Sequence, residues 1–490
     1  MTWRLPALLE GHADAAPDVA VPRLVSDSRQ LRPGDVFVAL AAVRGDGHGL
    51  DFMPQARAAG AAAVLVEPVA GRDLPSDLPT VVIPDLRRQL GHIAARFYGN
   101  PADAMFTVGI TGTDGKTTTA WLIAEALERL GKPCRYIGTL GSGRLGTLDA
   151  ASHTTPDPIR LQADLAKTRD DGQRAVAMEV SSHALDQHRI AGIGFDVVIL
   201  TNLARDHLDY HGTEADYAAA KRRLFTEYCR GVSVLNRDDR WGARWLAEGA
   251  DVIAYGVGGD DSDATLPVVL ADKVQAHRDG MHFNLRVGGQ NYAVETALMG
   301  RFNLHNLLAA ACALREGGFE WADIARVLGQ SNPPPGRMER YTAPGLPVAV
   351  IDYAHTPNAL AAALAAARDH SVGKLTVVFG CGGDRDPGKR ALMGDAAASG
   401  ADHVIVTTDN PRSEDPDAIA AAVVGAHNEF DVIHDRAEAI RTALSRATEG
   451  DLVLIAGKGH ETEQWIGGIA KPFSDRDVVS RWVAERSAPP

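Results

Sequence analysis

The run Gly112-Thr113-Asp114-Gly115-Lys116-Thr117-Thr118 has residue types suited to gripping a polyphosphate. It follows a β-type stretch, Phe106–Ile110. It precedes a segment in which Leu122, Ile123, Ala126, Leu127 and Leu130 recur at helical spacing, ended by Gly131 and Pro133. Glycines let backbone N–H groups approach anionic oxygens, and the helix N-terminus adds the positive end of its dipole. Lys116 can reach outer phosphates, and Thr117 can offer its hydroxyl to Mg²⁺. The loop departs from the usual pattern, because Ile110 stands where the first glycine is expected. A lysine-bearing surface turn is the alternative, and the strand-to-helix setting favours the cradle.

Other candidates stand where strands end. Glu179 follows the strand Ala175–Met178 and leads into Ser181, Ser182 and His183. Asp196–Leu200 ends in Thr201 and Asn202, with Asp206, His207 and Asp209 beyond. Glu179 and His207 could reach one phosphate-bound cation, since Mg²⁺ keeps several waters and needs only one or two protein groups. A helix-entry charge is the competing reading of Glu179. Lys221, on the helix Asp216–Tyr228, reads in isolation as a solvated surface lysine. Asn303 opens a helix, and capping and ligand contact both remain open for it.

The elements that must position these groups divide the chain into three α/β blocks, 1–104, 105–335 and 336–490. The first carries strands at Val36–Leu40 and Ala62–Val66, helices at Met53–Gly60 and Leu86–Tyr98, and a proline-rich joint at Pro75–Pro84. Ser28 lies in a polar turn before its first strand pair. The middle block alternates strands and helices, which predicts a mainly parallel sheet with ligands at the carboxyl ends of its strands. Pro333-Pro-Pro-Gly336-Arg337 is a stiff joint into the last block. There, four strands end in polar clusters: Asp352-Tyr-Ala-His355, Gly382-Gly-Asp384-Arg385, Asp409-Asn410-Pro411-Arg412 and Gly457-Lys-Gly-His-Glu461. Each alone reads as a turn; together they predict a second crevice on one sheet edge.

Bulk properties narrow the partners. The 490 residues carry a net charge of −13, which argues against a general nucleic-acid or membrane-surface partner. The four scattered cysteines, with no CxxC pair, read as reduced thiols. The N-terminus lacks a signal-peptide pattern and no apolar run could span a bilayer, so a soluble, cytoplasmic protein is expected, and a monomer is expected alongside.

TGTDGKTTT, MEVSSHALDQHR, TNLARDHLDYHG, YAAAKRRLF, PGRMER, DYAHTP, GDRDPGKR, DNPR and GKGHE occur in one order along the chain. This set resembles the Mur ligase family, and within it the members that add the third residue of the peptidoglycan stem peptide. The resemblance is dense over the second and third blocks and sparse over the first. It implies a small N-terminal UDP-binding domain, a central P-loop-type ATPase domain and a C-terminal Rossmann-like, doubly wound domain. It implies ATP and Mg²⁺ as cofactors, with UDP-N-acetylmuramoyl-L-alanyl-D-glutamate and meso-diaminopimelate as substrates.

By position, the resemblance assigns Gly112 to Thr118 to ATP, and Thr117, Glu179, His207 and a carbamylated Lys221 to the metal. Ser28, Thr154, Thr155, Ser181, Gln187 and Arg189 would hold the UDP-muramoyl-peptide. Asn303, Arg337, Asp352 and His355 match positions around the nucleotide and the domain joint. Arg385, Asp409, Asn410, Pro411, Arg412, Gly457 and Glu461 match the diaminopimelate site. A guanidinium suits the extra carboxylate of that amino acid, and an acid such as Glu461 suits its ammonium. Two departures stand out. The Ala42-Val-Arg44-Gly45 loop lacks the His-Gln-Ala of some relatives, and His153 replaces an Asn found in some members. Other classes would leave different marks: a kinase or switch would release ADP without an amine, and a binding module would not require the DNPR and GKGHE clusters. Among sister ligases, a folylpolyglutamate synthetase should lack DNPR and a lysine-adding muramyl ligase should lack Arg412.

Overall fold

The computed structural model describes residues 3–150, 153–248, 251–259 and 266–487. The chain packs as two compact units, Met1–Ala254 with Cys312–Gly318, and Tyr255–Ala311 with Phe319–Pro490.

The first unit opens with four parallel strands in sequence order, Leu24–Val25, Val36–Ala39, Ala63–Val66 and Thr80–Val82. Helix Leu86–Phe97 buries Leu86, Leu90, Ile93 and Ala94 in the core of this sheet. The proline-flanked segment predicted as a joint holds the last strand. Thr80–Val82 can pair there because its prolines, Pro79 and Pro84, lie outside it. Six strands of a larger, ten-stranded sheet follow in the order Cys229–Asn236, Phe195–Leu200, Phe106–Thr111, Ala175–Glu179, Cys134–Gly138 and Gly141–Gly143. The pairings among these six are parallel except the last. The buried run Ala175–Glu179 is apolar until its final residue, as a strand covered on both faces requires. Because the strands run one way, Thr111, Glu179 and Leu200 all end on the same edge.

In the second unit, Val268–His277, Gly280–Val287 and Gln290–Thr296 form an antiparallel meander. The expected helix–strand alternation does not hold here. The sequence carried the signal: strands of alternating polarity joined by two-residue turns at Arg278-Asp279 and Gly288-Gly289. The C-terminal sheet runs Glu339–Tyr341, Val348–Asp352, Leu452–Ala456, Leu375–Phe379, His403–Val406 and Asp431–Val432, parallel except for its first strand. It is covered on both faces. Val348, Val350, Val377, Phe379, Leu452 and Leu454 pack into one core with helices Pro357–His370 and Lys389–Gly400. The alternate residues Ala349, Ile351, Val378, Val453 and Ile455 pack into another, with helices Arg436–Arg446 and Asp475–Ser487. The period of two along each strand thus builds the doubly wound layer. Among the described residues, no helix is long and apolar enough to cross a membrane.

Candidate active site

In the first unit, the strand Phe106–Thr111 feeds the glycine loop and then helix Lys116–Arg129. Gly112 has a φ of +154°, and a Cβ there would lie 1.8 Å from Thr201 Oγ1, so only glycine fits. Thr201 Oγ1 donates to Asp114 O at 2.6 Å, and Thr113 N donates to Asn202 O at 2.9 Å, tying the loop to the neighbouring strand end. Lys116 Nζ donates to Gly112 O (2.9 Å) and Thr113 O (2.7 Å), arching over the loop's own carbonyls.

Glu179 is fully buried and accepts four hydrogen bonds. Its Oε1 takes the Tyr136 hydroxyl at 2.6 Å and Thr139 N at 2.8 Å. Its Oε2 takes the Thr117 hydroxyl at 3.0 Å and the Thr139 hydroxyl at 3.2 Å. Thr117 and Glu179, both assigned to a metal by resemblance, are thus in direct hydrogen-bond contact. Tyr136 and Thr139, which hold the carboxylate, were not legible as site residues, because a tyrosine in a strand reads as core.

Lys221 is 1% exposed, not a surface lysine. Its Nζ donates to Gly112 O at 2.7 Å and lies 4.6 Å from the centre of the Tyr217 ring. Burial, reinforced by Lys116, holds its pKa well below the ordinary lysine value. Lys116 and Lys221 thus share the Gly112 carbonyl.

His207 stands one ring away from the loop. Its ring packs edge-on against His183 (4.9 Å) and Tyr217 (6.2 Å), and its Nε2 is 3.3 Å from Asp206. The Tyr217 hydroxyl meets Thr113 Oγ1 at 3.2 Å. Burial, with His207 and His211 as lesser causes, pushes the His183 imidazole down to about 4. Among the described residues no three His, Cys, Asp or Glu side chains converge as a metal cluster.

The residues expected on the muramoyl-peptide sit beside Glu179. The Thr155 hydroxyl donates to Glu179 O (2.9 Å) and accepts from Ser181 N (3.1 Å), while Ser181 caps the next helix through Ala184 N. Arg189 donates to Thr155 O at 3.0 Å and to Gln187 Oε1 at 2.6 Å. Thr154 lies 3.3 Å from the Thr139 hydroxyl. Ser28 lies in the separate turn Ser28–Gln30, capped by Asp27. Arg44, from the divergent loop, donates to Tyr210 O at 2.6 Å and covers its ring.

In the second unit the four polar clusters do share one sheet edge, because the strands before them are mutually parallel. Asp384 and Ser413 lock two of the loops together, with the Ser413 hydroxyl donating to Asp384 at 2.6 Å. A Cβ at Gly382 would lie 3.2 Å from Arg412 Nη1 and 4.0 Å from Arg385 Cγ, so both guanidinium chains flank that glycine. Asn410 Nδ2 donates to Glu461 Oε2 at 2.9 Å. Gly457, at φ +109°, leaves room for Asp409 Oδ2, which a Cβ there would approach to 2.8 Å. Burial pushes the Asp409 carboxyl above the usual carboxylate range, against the opposing pull of Arg436 and Lys458. Pro411 O accepts from Glu414 N at 3.0 Å.

Asp352 accepts from Met338 N and Ala354 N, both at 2.8 Å, and burial raises its pKa. Arg337 lies over the Tyr353 ring at 4.5 Å. His355 is exposed. Asn303 is spent inside the fold, with Nδ2 on Met299 O and Oδ1 accepting from Asn306, both at 2.8 Å. Sequence reading passed over Lys458, Arg436 and Asp475. The last two form a fully buried ion pair at 2.7 and 2.8 Å. They are 39 residues apart in sequence, and nothing in the chain order marks them as partners.

The chain matches the family model of the Mur ligase middle domain over residues 110–314, and that of the Mur ligase glutamate ligase domain over 336–459. It is similar to a UDP-N-acetylmuramoyl-L-alanyl-D-glutamate–2,6-diaminopimelate ligase of Xanthomonas oryzae pv. oryzae, at 47% identity over 96% of this chain and 97% of that one. A ligase of the same name from Pseudomonas aeruginosa is 44% identical over 96% and 97%. A solved structure of a ligase of that name superposes over 100% of both chains with a TM-score of 0.74 and 34% identity. The chain therefore belongs to the Mur ligase family.

Proposed function

We propose that this chain joins meso-2,6-diaminopimelate to the D-glutamate γ-carboxylate of UDP-N-acetylmuramoyl-L-alanyl-D-glutamate, driven by ATP, in peptidoglycan synthesis. The observation that carries the reading is the charge pattern of the second unit's crevice. Arg385 and Arg412 flank Gly382, while Glu461 is bound to Asn410 on the same sheet edge. Cations and an anion so arranged match the carboxylate and ammonium at the far end of diaminopimelate. A lysine ligand would leave a guanidinium facing no carboxylate, a mismatch of about 10³-fold in discrimination. Residues 1–104, 105–335 and 336–490 serve as the UDP-, ATP- and amino-acid-binding domains.

The loop Gly112–Thr118 takes the triphosphate, with Lys116 turning from its carbonyls to the outer phosphates. Thr117 and Glu179 are the hard-oxygen pair that suits Mg²⁺, with His207 and Lys221 on the same side. That ion, when bound, screens the repulsion between a carboxylate and a triphosphate. Lys221 is fitted to carry a carbamate, because only a neutral amine adds CO₂ and burial shifts this one toward that form. Thr155, Ser181 and Arg189 orient the substrate peptide. The γ-carboxylate oxygen attacks the terminal phosphorus and ADP departs. The diaminopimelate amine then attacks the acyl carbon, loses its proton and expels phosphate. Splitting the reaction this way replaces a poor leaving group by a good one.

The test is phosphate release with the UDP-muramoyl-dipeptide, comparing meso-diaminopimelate with L-lysine. Release that depends on diaminopimelate supports the reading. Release without any amine would return the chain to the kinase or switch class, and equal use of lysine would remove the amino-acid assignment.

A further inference from the structure

Lys458 is fully buried, at 0% exposure. A lysine is seldom buried without a charged partner, because desolvating an ammonium is costly unless that partner is close. Here Nζ donates to Glu461 Oε2 at 2.7 Å and to Asn410 Oδ1 at 3.1 Å. Asn410 Nδ2 donates to that same Glu461 oxygen at 2.9 Å, so the three side chains close a ring of hydrogen bonds. Trp465 N gives Asn410 Oδ1 a second donor at 3.0 Å.

The hairpin Glu463–Ile466 and Ile469–Pro472 fixes the rest of the loop. Gln464 Nε2 donates to Thr408 O (3.1 Å) and Asp409 O (2.8 Å). Arg412 N donates to Trp465 O at 3.0 Å, and Gly467 N donates to Arg412 O at 2.8 Å. These bonds hold Arg412 at φ +52°, a conformation that a non-glycine residue keeps only when its surroundings impose it. On Glu461, Lys458 and Asn410 both bind Oε2, and the side chain is still 33% exposed. The carboxylate is held by one oxygen, which leaves Oε1 to a ligand.

We propose that Lys458 is the positioning residue of the amino-acid receptor. Its buried ammonium locks Glu461 and Asn410 into one unit and so sets the carboxylate that receives the ligand's ammonium, without touching the ligand itself. This rests on the assignment of Arg412 and Glu461 to the amino acid. Without Lys458, Glu461 is a partly exposed carboxylate free to take other rotamers, and each productive encounter must then order it again.

The experiment measures phosphate release while each of the three substrates is varied in turn, for Lys458→Met, Glu461→Gln, their double variant and Arg412→Ala. Lys458→Met is expected to raise the KM for diaminopimelate by about tenfold or more, while those for ATP and the UDP-substrate stay within about twofold. The double variant should be no worse than the poorer single one, since the two side chains act as one unit. Equal changes in all three KM values, or fully additive effects, overturn the inference. If Arg412→Ala leaves the diaminopimelate KM unchanged, the receptor reading itself fails. If Arg412→Ala raises that KM and Lys458→Met does not, only the role of Lys458 fails. Should Lys458→Met not accumulate as folded protein, Lys458→Gln, which loses the ammonium and is one atom shorter but keeps a polar end in the buried site, carries the same measurement.

Discussion

Replacing Glu179 by glutamine separates scaffold from chemistry at the phosphate loop. Four donors converge on this carboxylate, two on each oxygen. At Oε1 one of them is the Thr139 amide, which cannot accept a hydrogen bond. The glutamine carbonyl must therefore take that place, and its NH₂ then faces the hydroxyls of Thr117 and Thr139. Hydroxyls rotate to accept, so no group is orphaned and the shape is kept. Charge-assisted bonds become neutral ones, about half as strong. Relief from burying a charge offsets part of this, leaving a loss of ~1–2 kcal/mol in the stability of the first unit. Chemistry should suffer more. The Thr117 oxygen would accept from an amide instead of being free toward a cation, and a full negative charge would be gone. Removing one preorganised electrostatic group of this kind costs about 3–4 kcal/mol, or 10²–10³-fold in kcat. The assay is phosphate release at saturating substrates, run beside a thermal melt. A kcat within fivefold (roughly) of the parent, with the melt lowered, would show that Glu179 is only a brace for the loop and would sink the reasoning.

Lys221→Ala should be nearly inactive, with activity partly restored by short carboxylic acids that supply the missing anionic oxygens. Failure of every such acid, or a map showing an unmodified lysine in bicarbonate, would count against the carbamate. Asp475→Ala leaves the buried Arg436 charge without its two-pronged partner and should cost about 3–5 kcal/mol in denaturant melts. The double change Arg436→Met with Asp475→Leu should cost far less, and an equal or larger loss would contradict that account. Burial, with Arg337 nearby, pushes the His460 imidazole down from 6.5 to about 4. The unfolded chain binds this proton first, so the stability linked to neutral His460 is complete above 6.5 and lost as pH falls toward 4. His460→Gln should flatten the melting temperature against pH in that window, and an unchanged slope would remove His460 as the source.

Much of the architecture is local information, and the amino-acid order carries it. The alternation that places Val377 and Val378 in different cores is written in the strand itself, and so is the glycine turn that ends the strand Phe106–Thr111. Chain direction then decides which ends carry polar residues, and for this reason Glu179 and the DNPR loop could be picked out without coordinates. Family likeness added roles that spacing alone does not supply, above all for Lys221. What the order of residues could not decide is how deeply a charged side chain is buried and what faces it. Lys221 meets the carbonyl of Gly112 across 109 positions, and Lys458 meets Asn410 across 48. Read locally, both lysines belong on the surface. Only the folded chain supplies the distant Gly112 carbonyl and Asn410 amide and turns the nearby Glu461 carboxylate onto Lys458, because desolvation depends on everything packed around a group and not only on its neighbours in sequence.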